Sequence, residues 1–111
     1  MGIACEELSR ADTGTAALCL VNGIGATALP CASKELQEQW FPPMLNGDAI
    51  FCFCLTEPEY GSDSTRIECI ARREGDYFVI NGEKTSITYG MASKVAAVWV
   101  RTGTKESKGR G

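Results

Sequence analysis

The groups able to do chemistry in this chain are carboxylates, thiols, hydroxyls, amines and phenols, because its 111 residues include no histidine. That absence excludes a Ser-His-Asp or Cys-His nucleophile pair within the chain, a His-rich zinc site and an imidazole proton shuttle. Glu57 and Asp63 fall in the run Thr56-Glu57-Pro58-Glu59-Tyr60-Gly61-Ser62-Asp63, and a buried carboxylate can serve as a general base. Their place in a Pro- and Gly-containing turn favours a different role, in which both accept hydrogen bonds from nearby backbone and fix the loop. Six cysteines (Cys5, Cys19, Cys31, Cys52, Cys54, Cys69) are an even number that would suit three disulfides in a secreted protein. Most sit among apolar neighbours, however, where a free thiol packs as a small hydrophobe. Cys52 and Cys54 alternate along a strand-like run without an accompanying C-x2-C pair, which argues against zinc. Arg101, Lys105, Lys108 and Arg110, with Glu106, give the tail a net charge of +3, which reads as a solvated loop before it reads as a phosphate site.

The elements that must position these groups change character near residue 50. From residue 4 to 29 the sequence is rich in Ala, Leu and Thr with helical spacing, predicting one helix to about Arg10 or Ala11 and a second capped by Asp12 or Thr13. Gly23 and Gly25 weaken the second, since each costs about 1 kcal/mol against Ala inside a helix. Ser33 is an N-cap for a third helix, whose Leu36, Trp40, Phe41, Met44 and Leu45 share one face, and Pro42-Pro43 is expected to break or kink it. Beyond Ala49, residues 50–55, 67–72, 77–80 and 95–100 are short β-prone runs. Glu74-Gly75-Asp76 predicts a hairpin turn, and Asn81-Gly82 is the dipeptide best suited to a type I′ turn.

Composition sets the outer limits. With 44% hydrophobic and 23% charged residues the chain is of ordinary globular type. Residues 1–50 hold six acids and two bases and residues 51–111 eight acids and nine bases, a shift of character that coincides with the helix-to-strand change. The apolar runs are shorter than the roughly 20 residues of a membrane helix, so no membrane partner is expected. Residues 1–7 lack the basic start and apolar core of a secretory signal, and Glu6 spoils a myristoylation motif. An acidic chain without a basic, aromatic-studded patch gives no support to nucleic-acid binding. The fold class expected is α+β, helices followed by strands. Three helices and about four strands do not close both a bundle and a barrel, so apolar faces should be left exposed, as in an internal piece of a longer chain.

The run Phe53-Cys54-Leu55-Thr56-Glu57-Pro58-Glu59-Tyr60-Gly61-Ser62-Asp63 resembles the flavin-binding signature of the acyl-CoA dehydrogenases. Gly75-Asp76-Tyr77-Phe78-Val79-Ile80-Asn81-Gly82-Glu83-Lys84 and then Ile87-Thr88 follow in the family's order and at about its spacing. Upstream, Glu6-Glu7-Leu8-Ser9-Arg10-Ala11-Asp12 and the run from Lys34 to Met44 look like the end of the family's N-terminal helical domain. The resemblance implies that residues 1–49 end that domain and residues 50–111 begin the central β-barrel, flavin-binding domain.

It further implies FAD as cofactor and α,β-dehydrogenation of an acyl-CoA thioester, with electrons passed to an electron-transfer flavoprotein. Homo-oligomers, dimeric or tetrameric, are implied for the parent enzyme, in the cytoplasm of a bacterium or the mitochondrial matrix of a eukaryote. The cofactor-binding positions carried over are Phe53, Leu55, Thr56, Gly61, Ser62, Ser86, Ile87 and Thr88, with Ser62 also matching a substrate contact. Backbone amides and hydroxyls of this kind suit the hydrogen-bonding edges of a flavin ring. Taken singly, Thr56 and Thr88 also suit plain strand positions.

No residue matches the family's catalytic carboxylate, so the chain by itself is expected to be inactive. A non-catalytic interaction module that binds no flavin is the alternative. The chain departs from the family's pattern at Ser86, where most members carry a Trp against the flavin, at Tyr89-Gly90 in place of Asn-Gly, and at Glu59-Tyr60 in place of small residues. Tyr60 is expected at the surface rather than in a pocket.

Overall fold

A computed structural model describes residues 2–104 and 107. Lys105, Glu106, Lys108 and Arg110, read above as a solvated tail, lie outside the described residues. The order is α1 (Gly2–Ala11), α2 (Thr13–Ala28), a 3-10 turn (Leu29–Cys31), α3 (Lys34–Leu45), β1 (Phe51–Cys54), a 3-10 turn (Ser64–Arg66), β2 (Ile70–Glu74), β3 (Tyr77–Asn81) and β4 (Val95–Val98). β1 pairs with β4, and β2 with β3. The chain is α+β, and it forms two compact units, Met1–Phe53 with Thr88–Ala97, and Cys54–Ile87 with Val98–Gly111.

In the first unit the helix starts follow the capping residues. Asp12 is extended (φ −157°, ψ 118°), and its Oδ2 accepts from the Thr15 N–H at 2.6 Å and from the Thr15 hydroxyl at 2.7 Å. Those two bonds, the hydroxyl's first, hold the Asp12 carboxyl below its usual range. Ser33 caps α3 by accepting from the Leu36 N–H, and the Gln37 amide ties that start to the preceding turn by donating to the Pro30 and Ala32 carbonyls.

α2 runs straight through Gly23 and Gly25. Packing explains why Gly25 belongs there: a Cβ on it would lie 2.6 Å from the Cβ of Phe51, so only glycine lets the helix approach β1 this closely. Asn22 Oδ1 accepts the Phe51 N–H at 3.0 Å across the same contact. Ala16, Leu29, Ala49, Phe51 and Cys52 are the buried apolar residues here. Together with its 3-10 extension, α2 spans Thr13–Cys31, a stretch long and apolar enough by length and composition to cross a membrane. The sequence reading missed it because Thr, Asn and Gly interrupt each apolar run without breaking the helix.

One expectation about this half needs correction. Pro42 and Pro43 do not break α3, which continues to Leu45. The two missing N–H groups fall in the last turn, opposite the carbonyls of exposed Glu38 and Gln39, where water can take their place. The Pro42 and Pro43 carbonyls then end the helix by accepting from Asn46, Asp48 and Ala49. The apolar face of α3 stays open, as the count of helices and strands leads one to expect, with no residue fully buried and Leu45 78% exposed.

In the second unit β2 and β3 form an antiparallel hairpin in the register Ile70↔Asn81 to Glu74↔Tyr77, so Gly75-Asp76 is a two-residue turn with Gly75 at φ 65°. Asn81-Gly82, by contrast, is no type I′ turn. Asn81 ends β3, and Gly82 adopts φ 148°, where a Cβ would lie 2.6 Å from the Cys69 Cα. The glycine is required by close approach to Cys69 and not by chain reversal. β2 begins three residues later than expected, at Ile70. The N–H groups of Glu68 and Cys69 are given to a side chain instead of to a strand.

Ile67, Cys69 and Ala71 are the buried apolar residues of this unit, whereas Tyr77, Phe78 and Ile80 on β3 are 64%, 58% and 53% exposed.

Candidate functional site

The loop after β1 is built around Glu57. Its N–H donates to the Tyr60 carbonyl at 3.0 Å and its own carbonyl accepts the Tyr60 N–H at 3.2 Å, closing a turn over Pro58-Glu59. The side chain is 5% exposed and fully engaged: Oε2 accepts from the Glu68 N–H at 2.6 Å, and Oε1 from the Cys69 N–H at 2.9 Å and from Lys84 Nζ at 2.8 Å. Lys84 also donates to the Leu55 carbonyl at 2.9 Å. Burial pushes the Glu57 carboxyl up, but the Glu68 N–H, Lys84 and the Cys69 N–H outweigh it and hold the group below its ordinary value. A carboxylate with three donors and a depressed pKa is a clasp, not a base. Asp63 is likewise local, accepting from the Thr65 hydroxyl at 2.7 Å.

The clasp lays residues 55–56 alongside residues 84–85, where the Thr85 N–H donates to the Thr56 carbonyl at 2.9 Å. Within the second unit this brings Leu55 and Thr56 next to the segment that carries Ser86 and Ile87. Gly61 and Ser62 are exposed beyond the turn. A Cβ at Gly61 would meet no atom within 4 Å, so the chain's own packing does not demand glycine there.

Phe53 and Thr88 belong to the first unit, the former half-buried in β1 and the latter exposed. Among the described residues, the side-chain hydroxyls of Thr56, Ser62, Ser86 and Thr88 and the N–H groups of Leu55, Thr56, Ile87 and Thr88 make no hydrogen bond. Within the second unit, the open amide and hydroxyl groups of Leu55, Thr56, Ser86 and Ile87 are of the kind that suits the hydrogen-bonding edges of a flavin ring.

Among the described residues, Ser86 and Tyr89 are the two other than glycine with positive φ, 54° and 59°. They bracket Ile87-Thr88. Tyr89 is anchored by its hydroxyl, which donates to the Gly14 carbonyl at 2.6 Å, and by its carbonyl, which accepts from Ala92 and Ser93.

Three features were not legible beforehand. Lys84 had no role in the sequence reading. Tyr60, expected at the surface, is half-buried: the Arg66 guanidinium covers its ring at 5.2 Å, and it lines two cavities of about 310 and 220 Å³ beside the loop. Arg101, counted with the tail charges, is 4% exposed, with Nε donating to the Ile67 carbonyl, its terminal nitrogens to the Thr65 and Thr104 carbonyls, and the Ser107 hydroxyl also within reach. A lone basic residue after a strand carries no signal of such burial, because its partners are all carbonyls and hydroxyls.

These elements, in this order, define a class. The chain belongs to the acyl-CoA dehydrogenase family: residues 1–48 match its N-terminal domain and residues 52–111 its middle domain. It is 39% identical over 96% of its length to the mitochondrial short-chain specific acyl-CoA dehydrogenase of Mus musculus, covering 27% of that protein. A glutaryl-CoA dehydrogenase from Mycobacterium smegmatis, solved in complex with FADH2, superposes with a TM-score of 0.85 at 39% identity, over 91% of this chain and 27% of the other. A chain from the structure of an electron transferring flavoprotein of Acidaminococcus fermentans matches with a TM-score of 0.82 at 30% identity, over 95% of this chain and 28% of the other. The chain thus spans about a quarter of the length of these relatives.

Proposed function

We propose that this chain is the junction of the N-terminal and central domains, residues 1–49 and 50–111, of an FAD-dependent acyl-CoA dehydrogenase. The parent reaction is α,β-dehydrogenation of an acyl-CoA thioester, with the electrons leaving to an electron-transfer flavoprotein. The observation that carries this reading is the loop closed by Glu57 and Lys84, which presents the unpartnered N–H groups of Leu55 and Thr56 and the Thr56 hydroxyl. FAD, when bound, supplies the acceptor for the hydride lost from the β-carbon.

The chain's own contribution is to hold and orient that group. Within the second unit the Leu55 and Thr56 N–H groups and the Thr56 hydroxyl are assigned to the ring's polar edges, with Ser86 and Ile87 as further flavin positions; Phe53 and Thr88, in the other unit, are assigned to the flavin from their match to the family's pattern. Gly61 and Ser62 are assigned to the ligand-facing loop, Ser62 to the acyl-CoA as well. Glu57 and Asp63 are committed to the loop, and no residue here matches the family's catalytic carboxylate; the chain alone is therefore expected to be inactive. In a eukaryote the mitochondrial matrix is the matching compartment.

The test is the intact mass and visible spectrum of the protein isolated from its own source. A yellow polypeptide several times longer, bleached by a short-chain acyl-CoA, supports the assignment. A colourless protein of 111 residues overturns it and leaves a non-catalytic module.

A further inference from the structure

The backbone around Thr88 is held in a conformation that its residues do not favour. A bulky residue such as tyrosine at φ 59° is strained and persists only where the surroundings over-determine it, a condition met most often at ligand sites. What over-determines it here is visible. The Tyr89 hydroxyl reaches 75 residues back along the sequence to the Gly14 carbonyl in the first turn of α2, at 2.6 Å. That turn is itself fixed by the Asp12 cap. On the other side, the Tyr89 carbonyl is held by the N–H groups of Ala92 and Ser93, and the Ser93 hydroxyl reaches the Gly90 carbonyl and the buried Cys52 thiol.

We infer that Tyr89 is a positioning residue, a strap that borrows the rigid start of α2 to fix the backbone of Thr88, which itself has no hydrogen bond among the described residues. Asparagine or glycine would tolerate the left-handed conformation without help, whereas tyrosine needs the anchor and in exchange links the Thr88 segment to a helix. The inference rests on the assignment of Thr88 to the flavin, and it adds that flavin binding in this protein depends on a side chain that need not touch the cofactor.

The experiment compares the FAD-loaded wild-type protein with Tyr89→Phe and Tyr89→Asn. Removing the hydroxyl in Tyr89→Phe should speed amide hydrogen exchange at residues 88–93. It should also raise the FAD dissociation constant roughly two- to tenfold, the size of one net hydrogen bond, and shift the bound flavin's absorption bands. Tyr89→Asn, suited to the same backbone, should recover part of the FAD affinity without restoring the tie to α2.

A yellow wild-type protein whose Tyr89→Phe variant matches it in exchange, affinity and spectrum overturns the strap while leaving the flavin assignment intact. Faster exchange with an unchanged flavin overturns the positioning role. A wild-type protein that takes up no FAD overturns the functional reading itself, and this inference with it.

Discussion

Glu57 is the residue on which the loop depends. Its two oxygens face three donors, so Glu57→Gln would point an NH2 group at a backbone N–H and should cost about 2 kcal/mol of stability, read by chemical denaturation. Lys84→Met leaves the carboxylate buried without its cation and should cost about 3 kcal/mol. The pH dependence follows from the depressed pKa. Glu57's contribution is fully present above the ordinary value of 4.5 and is lost as pH falls through the lower folded value, so denaturation midpoints should decline below about pH 4.5 and do so less in Glu57→Gln. At Gly61, where an added methyl meets nothing in the chain, Gly61→Ala should leave the unfolding midpoint unchanged while weakening FAD or acyl-CoA binding by isothermal titration. Much of this was readable at the sequence level: Thr56, Glu57 and Gly61 stand in one motif, and a turn-fixing carboxylate is the ordinary role for an acid beside proline. Lys84 and Arg101 were not, since the partners that bury them, Glu57 and Leu55 for the one and Thr65 and Ile67 for the other, lie 27 and more residues away and no local pattern encodes them.

Elements were legible where a local signal fixes them. Asp12 and Ser33 mark helix starts because short polar side chains take orphan N–H groups, and Gly75-Asp76 marks the hairpin because a two-residue turn needs positive φ. The failures at Pro42-Pro43 and Asn81-Gly82 share one cause. A residue's local preference was read without knowing what its neighbours would supply: solvent for the first pair, and the backbone of Cys69 for the second. Gly25 shows the same effect with a measurable size. Gly25→Ala raises helix propensity by about 1 kcal/mol, yet its methyl would overlap Phe51. Net destabilisation by about 1 to 3 kcal/mol is expected, from overpacking, in thermal or denaturant unfolding.

At the scale of the whole molecule, the apolar faces anticipated from the count of helices and strands are present, with Tyr77, Phe78 and Ile80 exposed on β3 and Leu45 at the end of α3. Exposed aromatic and aliphatic groups of this density favour association. The 111-residue chain expressed alone should therefore self-associate at micromolar concentration by analytical ultracentrifugation, and Phe78→Lys with Ile80→Lys should reduce it.

The fit of Gly82 against Cys69 gives the protein a built-in reporter. The Cys69 thiol is covered by a glycine backbone, while Cys19 and Cys31 are open to solvent. A thiol-labelling reagent should therefore modify Cys19 and Cys31 at once and Cys69 only during excursions that lift residue 82 from it. Followed at Cys69 by mass spectrometry, to separate it from the equally buried Cys52, the slow phase of labelling would time the opening of that hairpin edge without any probe being introduced.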